Sequence, residues 1–468
     1  MGGHGRDGSV PRDRSSLPPI AAGHDPTLAS ASPPGNSATD GMAATARDLL
    51  QSSADIALGD AAGERQVMGI ASMTKQETDQ EPGPSAAPAQ TPARAGVDKG
   101  RGRFVFVDAL RGVAAMGVVV FHVFEGKHLE HLAAVLPAWL RQVIEAGHLG
   151  VPVFFVLSGF VIAHSVRRYT VDLPFIGRFA LRRSIRLDPP YWVAMLVTIG
   201  LGIVSKLVMP SKPYAPPTGG QILAHILYLP AILDIPWLDT VYWTLAYEVQ
   251  FYLVFCLLMG LAHATRRDPD DRRSLFLVFT PALLIAAAWP LGLIRDNIWP
   301  GLFPPLWHGF LLGMLACWAM NRTVAAGWFY AYAALLLAGA AWRQDSFTAA
   351  CAATAILLYA SARLGALRTW LGWRWLQFLG AISYSIYLLH NPISGAAFNV
   401  GYRITGRSAA TEAFWLVVVL GLVIAAASAA WWLVERPSLA LAHRIRLEPG
   451  PAVVAPAPSS PAPESSPA

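Results

Sequence analysis

The chain has 468 residues, 54% of them hydrophobic and only 14% charged, with a mean hydropathy of +0.41. Soluble domains are about 25% charged, so the composition excludes an ordinary soluble enzyme and points to a polytopic membrane protein. The formal net charge of +6 would suit nucleic acid, but the basic residues sit mostly between apolar segments. That pattern fits topology and contact with membrane lipid, and no nucleic-acid partner is expected.

Residues 1–100 are rich in Gly, Pro, Ala, Ser and Asp without apolar periodicity, which predicts a disordered tail. From Phe104 on, ten apolar segments are long enough to span a bilayer. They lie near 104–125, 148–167, 189–208, 241–262, 274–293, 303–320, 325–341, 346–362, 376–398 and 413–434. The expected fold is all-α, a polytopic membrane bundle of about ten transmembrane helices over residues 101–440. A second disordered tail is expected over 441–468. The Pro-rich residues 209–220 and the apolar run 221–236 form the longest connection, at the surface or re-entrant. Arginines gather in alternate connections, at Arg167, Arg168 and Arg178, at Arg266, Arg267, Arg272 and Arg273, at Arg363, Arg368 and Arg374, and at Arg436 and Arg444. By the positive-inside rule both termini are cytoplasmic. Cys256, Cys317 and Cys351 lie inside apolar stretches and imply neither a disulfide framework nor a metal site.

The first span, FVFVDALRGVAAMGVVVFHVFE, carries Asp108, Arg111 and His122. Arg111 and His122 share one helix face, because 11 residues make three turns plus roughly 20°, and they stand about 16 Å apart. Charged groups in a bilayer helix usually face a bundle interior or a watery cavity. Arg111 suits either an ion pair with Asp108 at i,i+3 or a functional cation, and His122 either a hydrogen-bonded core imidazole or a base. In the second span, Ser158 and Gly159 read as small residues for helix packing. In RFALRRSIRLDPPYW (178–192), Arg178, Arg182, Arg183 and Arg186 precede a helix whose start is marked by Pro189 and Pro190. Cytoplasmic anchoring explains that cluster, and so does capture of a phosphate-bearing ligand.

The fourth span opens VYWTLAYEVQFYLVF, with Glu248 and Tyr252 at i,i+4. Glu248 can bond a histidine, bind a sugar hydroxyl or bridge helices. In ISYSIYLLHNP (382–392), Tyr384, Tyr387 and Asn391 follow i,i+3,i+7 spacing, and Ser383, Tyr387 and His390 form an overlapping stripe. Hydroxyl-bearing rings beside an amide suit a carbohydrate or an amphipathic carrier. A polar seam between helices is the other reading. Glu435, in the closing Glu-Arg-Pro, is expected to pair with the arginine cluster.

Taken together, these stretches resemble the membrane-bound acyltransferase-3 family. The resemblance runs from about residue 104 to 440. It rests on Asp108, Arg111 and His122, FFVLSGF (154–160), RRSIRLDPPYW, WTLAYEVQFY, YSIYLLHNP and the closing ERP, in that order. Asp188 departs from it, at a place usually apolar or aromatic. The resemblance implies an inner-membrane O-acyltransferase with acetyl-CoA as donor, a carbohydrate acceptor and no metal. It carries catalytic roles to Arg111, His122 and Glu248, donor binding to Arg183 and Arg186, and acceptor binding to Tyr384 and Tyr387. Residue chemistry adds Arg182 to the donor group, and Tyr252, Ser383 and Asn391 to the acceptor group. A transporter of a lipid-linked sugar or acyl group, without chemistry, is the alternative, since intramembrane His, Arg and Glu serve transporters too.

Overall fold

A computed structural model describes residues 104–209, 214–267, 272–295 and 301–447. The tails expected over 1–100 and from Glu448 lie outside the described residues. The helices are, in chain order, α1 (Val105–Glu125), α2 (Glu130–Val135), α3 (Ala138–Glu145), α4 (Gly150–Val166), α5 (Leu173–Val208), α6 (Gly219–Ile226) and α7 (Trp243–Ala264). They continue with α8 (Arg273–Ala287), α9 (Trp307–Met320), α10 (Ala326–Arg343), α11 (Ser346–Arg363), α12 (Arg374–Thr405), α13 (Ala409–Ala430) and α14 (Arg436–Arg444). No strand occurs among the described residues. Each of the ten expected segments forms a helix. Five stretches are long and apolar enough to cross a membrane: Val105–Glu125, Ala138–Val166, Leu173–Val208, Thr240–Ala264 and Ala409–Arg444. The other expected segments form shorter or less apolar helices.

The core follows from composition. α9 is apolar on every side, and all residues from Trp307 to Ala319 are buried, as expected of a helix with no polar face. α4 packs on it at glycine: a Cβ on Gly159 would meet the Phe310 carbonyl oxygen at 1.9 Å. The rings of Phe155 and Phe251 stack on Phe310 at 4.4 and 4.2 Å between centroids. α1 and α12 approach as closely, since a Cβ on Gly380 would lie 2.1 Å from the Asp108 carbonyl oxygen. This contact brings Arg111 beside Tyr384.

Three boundaries differ from expectation. The helix of the third expected span, α5, begins at Leu173, where the Asp172 side chain accepts from the Phe175 N–H at 2.7 Å and Pro174 occupies the first turn. Pro189 and Pro190 are therefore inside a helix of 36 residues. Each lacks the N–H that would bond the carbonyl four residues back. The carbonyls left without that partner are those of Ile185 and Arg186, and one residue on, the Leu187 carbonyl accepts a tertiary bond from the Tyr384 hydroxyl at 2.9 Å. α12 continues through Pro392 to Thr405. The last span passes through a π-helical turn, Trp431–Glu435, into α14. Among its described residues the long connection after α5 contains the short α6 and a 3-10 turn at Thr240–Tyr242, and it is fastened by the Tyr228 hydroxyl, which donates to Asp188 Oδ1 at 2.8 Å. Asp188, the residue that departs from the family pattern, thus anchors a loop.

Candidate active site

An enclosed cavity of about 80 Å³ lies where α1, α4, α5, α7 and α12 converge. At ~10–15 Å³ per water it admits about five to eight waters. Its cations are Arg111, Arg183 and Arg186, and its carboxylates are Glu248 and Glu435. Three cations against two carboxylates leave the wall suited to an anionic ligand. Phe154, Phe155, Leu157 and Leu245 form its apolar side.

The polar groups are held by one another. Ser158 Oγ donates to Glu248 Oε1 at 2.6 Å, joining α4 to α7. Thr244 Oγ1 donates to the Tyr387 hydroxyl at 2.9 Å, which donates to the Val241 carbonyl at 3.1 Å. Ser385 Oγ donates to Glu435 Oε2 at 2.7 Å. The Arg183 guanidinium lies over the rings of Tyr252 and Phe179, 5.0 and 5.2 Å from their centroids, a placement that favours a cation. Arg111 Nε is buried with no hydrogen-bond partner among the described residues, so the guanidinium retains a donor for a ligand.

Of the residues expected from sequence, Arg111, Arg183, Arg186, Glu248, Tyr252, Ser383, Tyr384 and Tyr387 line this one cavity. Arg182, His122 and Asn391 do not, and helix geometry gives the reason. Arg182 is about 100° round α5 from Arg183 and faces α14, where Nη2 meets His443 Nδ1 at 3.1 Å. Asn391 shares a face with Tyr384 but stands about 10 Å further along the axis. Its amide donates to Asp239 Oδ1 at 2.9 Å. Burial pushes the Asp239 carboxyl above the usual carboxylate range, against the pull of the Asn391 and Val241 hydrogen bonds.

His122 likewise shares a face with Arg111 but lies nearer the other end of the bundle. Its Nδ1 is 2.9 Å from Glu125 Oε2, and its ring stacks on His390 at 5.3 Å between centroids. His390 is fully buried. Its Nδ1 donates to the Tyr387 carbonyl at 2.8 Å, and Nε2 has no partner among the described residues. A neutral ring with its proton on Nδ1 presents Nε2 as a bare acceptor. His390 is one turn beyond Tyr387, so it connects His122 to the cavity wall.

Ser158, Thr244, Glu435, His390 and Glu125 are the residues that sequence reasoning left out of the site. Ser158 reads as packing and Glu435 as a surface partner for arginines when each is considered alone. The stripe Ser383, Tyr387, His390 was the available signal for the buried imidazole.

The profile of the family described as Acyltransferase domain matches residues 104–434. The chain is 27% identical to the membrane-bound transacylase BcsY of Komagataeibacter xylinus, over 72% of this chain and 83% of that protein. It is 28% identical to the acyltransferase MdmB of Streptomyces mycarofaciens, over 76% of this chain and 96% of the relative. It is also 28% identical to the exopolysaccharide production protein ExoZ of Rhizobium meliloti, over 65% and 93% respectively. No solved structure matches the chain significantly. An all-helical membrane bundle, a cavity whose lining residues other than Glu435 fall in the matched stretch, and a match over most of the helices lead to one assignment: the chain belongs to the acyltransferase-3 family of membrane acyltransferases.

Proposed function

We propose that the chain is an inner-membrane O-acetyltransferase, moving an acetyl group from acetyl-CoA to a hydroxyl of a cell-surface or lipid-linked carbohydrate, with both termini cytoplasmic. The observation that carries this reading is the convergence of Arg111, Arg183 and Arg186 with Glu248 and Tyr384 on one enclosed cavity. The names of two relatives, a transacylase and an exopolysaccharide production protein, support acyl transfer and a carbohydrate acceptor.

Acetyl-CoA brings an activated acyl carbon and a thiolate leaving group. Arg183 and Arg186 bind its phosphates from the arginine-rich end, for which guanidinium forks are well shaped. Arg111, about 16 Å from His122 along α1, holds the donor rather than the reacting carbonyl, a preorganised charge lining the cavity. His122, its Nδ1 turned to Glu125, offers Nε2 to the acceptor hydroxyl as general base, help typically worth ~10²–10⁴ in rate. His390 holds that ring by stacking. The acceptor oxygen bonds to the acyl carbon, the C–S bond breaks, and the proton taken by His122 returns to the departing sulfur. Glu248 and Tyr387 orient the acceptor.

The test is labelled acetyl-CoA with the purified full chain and an oligosaccharide acceptor. Acceptor-dependent release of CoA, with label on the sugar, is expected. Transport of a lipid-linked sugar without CoA release would replace this reading with the transporter.

A further inference from the structure

At the end of the bundle that carries His122, the last turn of α1 runs into a second, open cavity of about 630 Å³, within the ~300–1,000 Å³ common for ligand sites. Its cations are Lys127, Arg403 and Arg407, and its carboxylate is Glu130. The three cations differ in their commitments. Arg407 bonds the fully buried Glu412 through Nε and Nη2, at 3.2 and 3.0 Å from Oε1, and approaches Glu130 at 3.6 Å. Lys127 and Arg403 make no ion pair among the described residues.

Lys127 is also held in place. Its φ of +55° puts a non-glycine residue in the left-handed region, an uncommon conformation that persists where surroundings impose it. Its N–H donates to the Phe124 carbonyl at 3.0 Å, and its own carbonyl accepts from Arg407 Nη2 at 3.0 Å. The Tyr402 hydroxyl fixes the next residue by donating to the His128 carbonyl. A lysine on a fixed backbone and an arginine with no ion pair among the described residues therefore line one cavity, beside the amide of Asn399, which suits a sugar hydroxyl.

We propose that this open cavity binds the acceptor and selects an anionic carbohydrate, its carboxylate facing Lys127 and Arg403. The inference rests on the acyl-transfer reading, for which it names the acceptor class. A phospholipid headgroup offers similar charge, but an open cavity lined by the Asn399 amide and the Tyr402 phenol fits a sugar better.

The experiment is equilibrium binding of a tetrasaccharide carrying one hexuronic acid, and of its methyl ester, to the full chain in zwitterionic nanodiscs. Wild type should bind the acid roughly tenfold more tightly than the ester, two solvent-exposed ion pairs being worth about that much. In the double variant Lys127→Ala/Arg403→Ala the two should bind alike, and unchanged acetyl-CoA binding would show that variant to be folded. Lys127→Arg/Arg403→Lys should restore the preference. Equal binding of acid and ester by wild type overturns the inference, whatever the transferase activity. So does a double variant whose only change is weaker association with anionic-lipid nanodiscs. Discrimination between acid and ester upholds the inference even if the chain releases no CoA, an outcome that counts against the acyl-transfer reading alone.

Discussion

The enclosed cavity around Arg111 and the open cavity around Lys127 both gather cations, but they hold them in different ways. In the enclosed one, guanidinium groups stand among carboxylates and over aromatic rings, and the space between them is small. In the open one, two cations face solvent-accessible space and a third is locked to a buried carboxylate. Charge inside a bundle is tolerated only with partners or a ligand, whereas charge at a mouth costs little and acts by attraction. On the proposed reading the two ends have distinct tasks: holding the donor within the bundle, and drawing in the carbohydrate acceptor. His122, with Glu125 and His390, stands between them.

The largest expected effect tests the join. His122→Gln should lower acetyl transfer by ~10²–10⁴ while leaving acetyl-CoA binding within twofold, read by turnover and by titration. Loss of donor binding instead would move His122 into the enclosed cavity and dissolve the division. Gly159→Ala comes next. The added Cβ has no room against the Phe310 carbonyl, and overpacking costs ~1–3 kcal/mol, so the melting temperature should fall and donor binding should weaken before acceptor binding does. Equal loss at both cavities would show them to be one cooperative unit.

The smallest effect concerns Asp239, next to Asn391. Its carboxyl is raised by burial, so the fold favours the neutral form. Stability from this group is present below the unfolded carboxylate value of ~3.9 and is lost as pH rises through the higher folded value. Asp239→Asn keeps the acceptor oxygen without the charge. Its melting temperature relative to wild type should therefore increase from pH 4 to pH 7. A constant difference across that range would mean that burial does not govern this carboxyl.

Much of this arrangement was legible in the sequence. Apolar runs gave the helices, and a residue's angle round its helix gave the shared face of Arg111 with His122 and of Tyr384 with Asn391. Height along the axis was harder to use, because which level of one helix meets which level of another depends on close contacts such as Gly380 on Asp108. For that reason His122 and Asn391 have the expected direction but stand outside the cavity. Pro189 and Pro190 misled because a helix start and a helix interior look alike around a proline pair, and the true start, capped by Asp172, lies 16 residues earlier. Ser158 and Glu435 acquire meaning only from partners on other helices. A one-residue offset separates Arg183, in the cavity, from Arg182, which meets His443.

The division between donor end and acceptor end is tested most directly by acetyl-CoA binding to the full chain in nanodiscs, measured for two double variants side by side. Arg183→Ala/Arg186→Ala should weaken binding roughly 10- to 100-fold, the loss expected for hydrogen bonds to charged groups at ~1.5–3 kcal/mol. Lys127→Ala/Arg403→Ala should leave it within twofold. If the outer pair weakens acetyl-CoA binding and the inner pair does not, the two ends have been assigned the wrong way round.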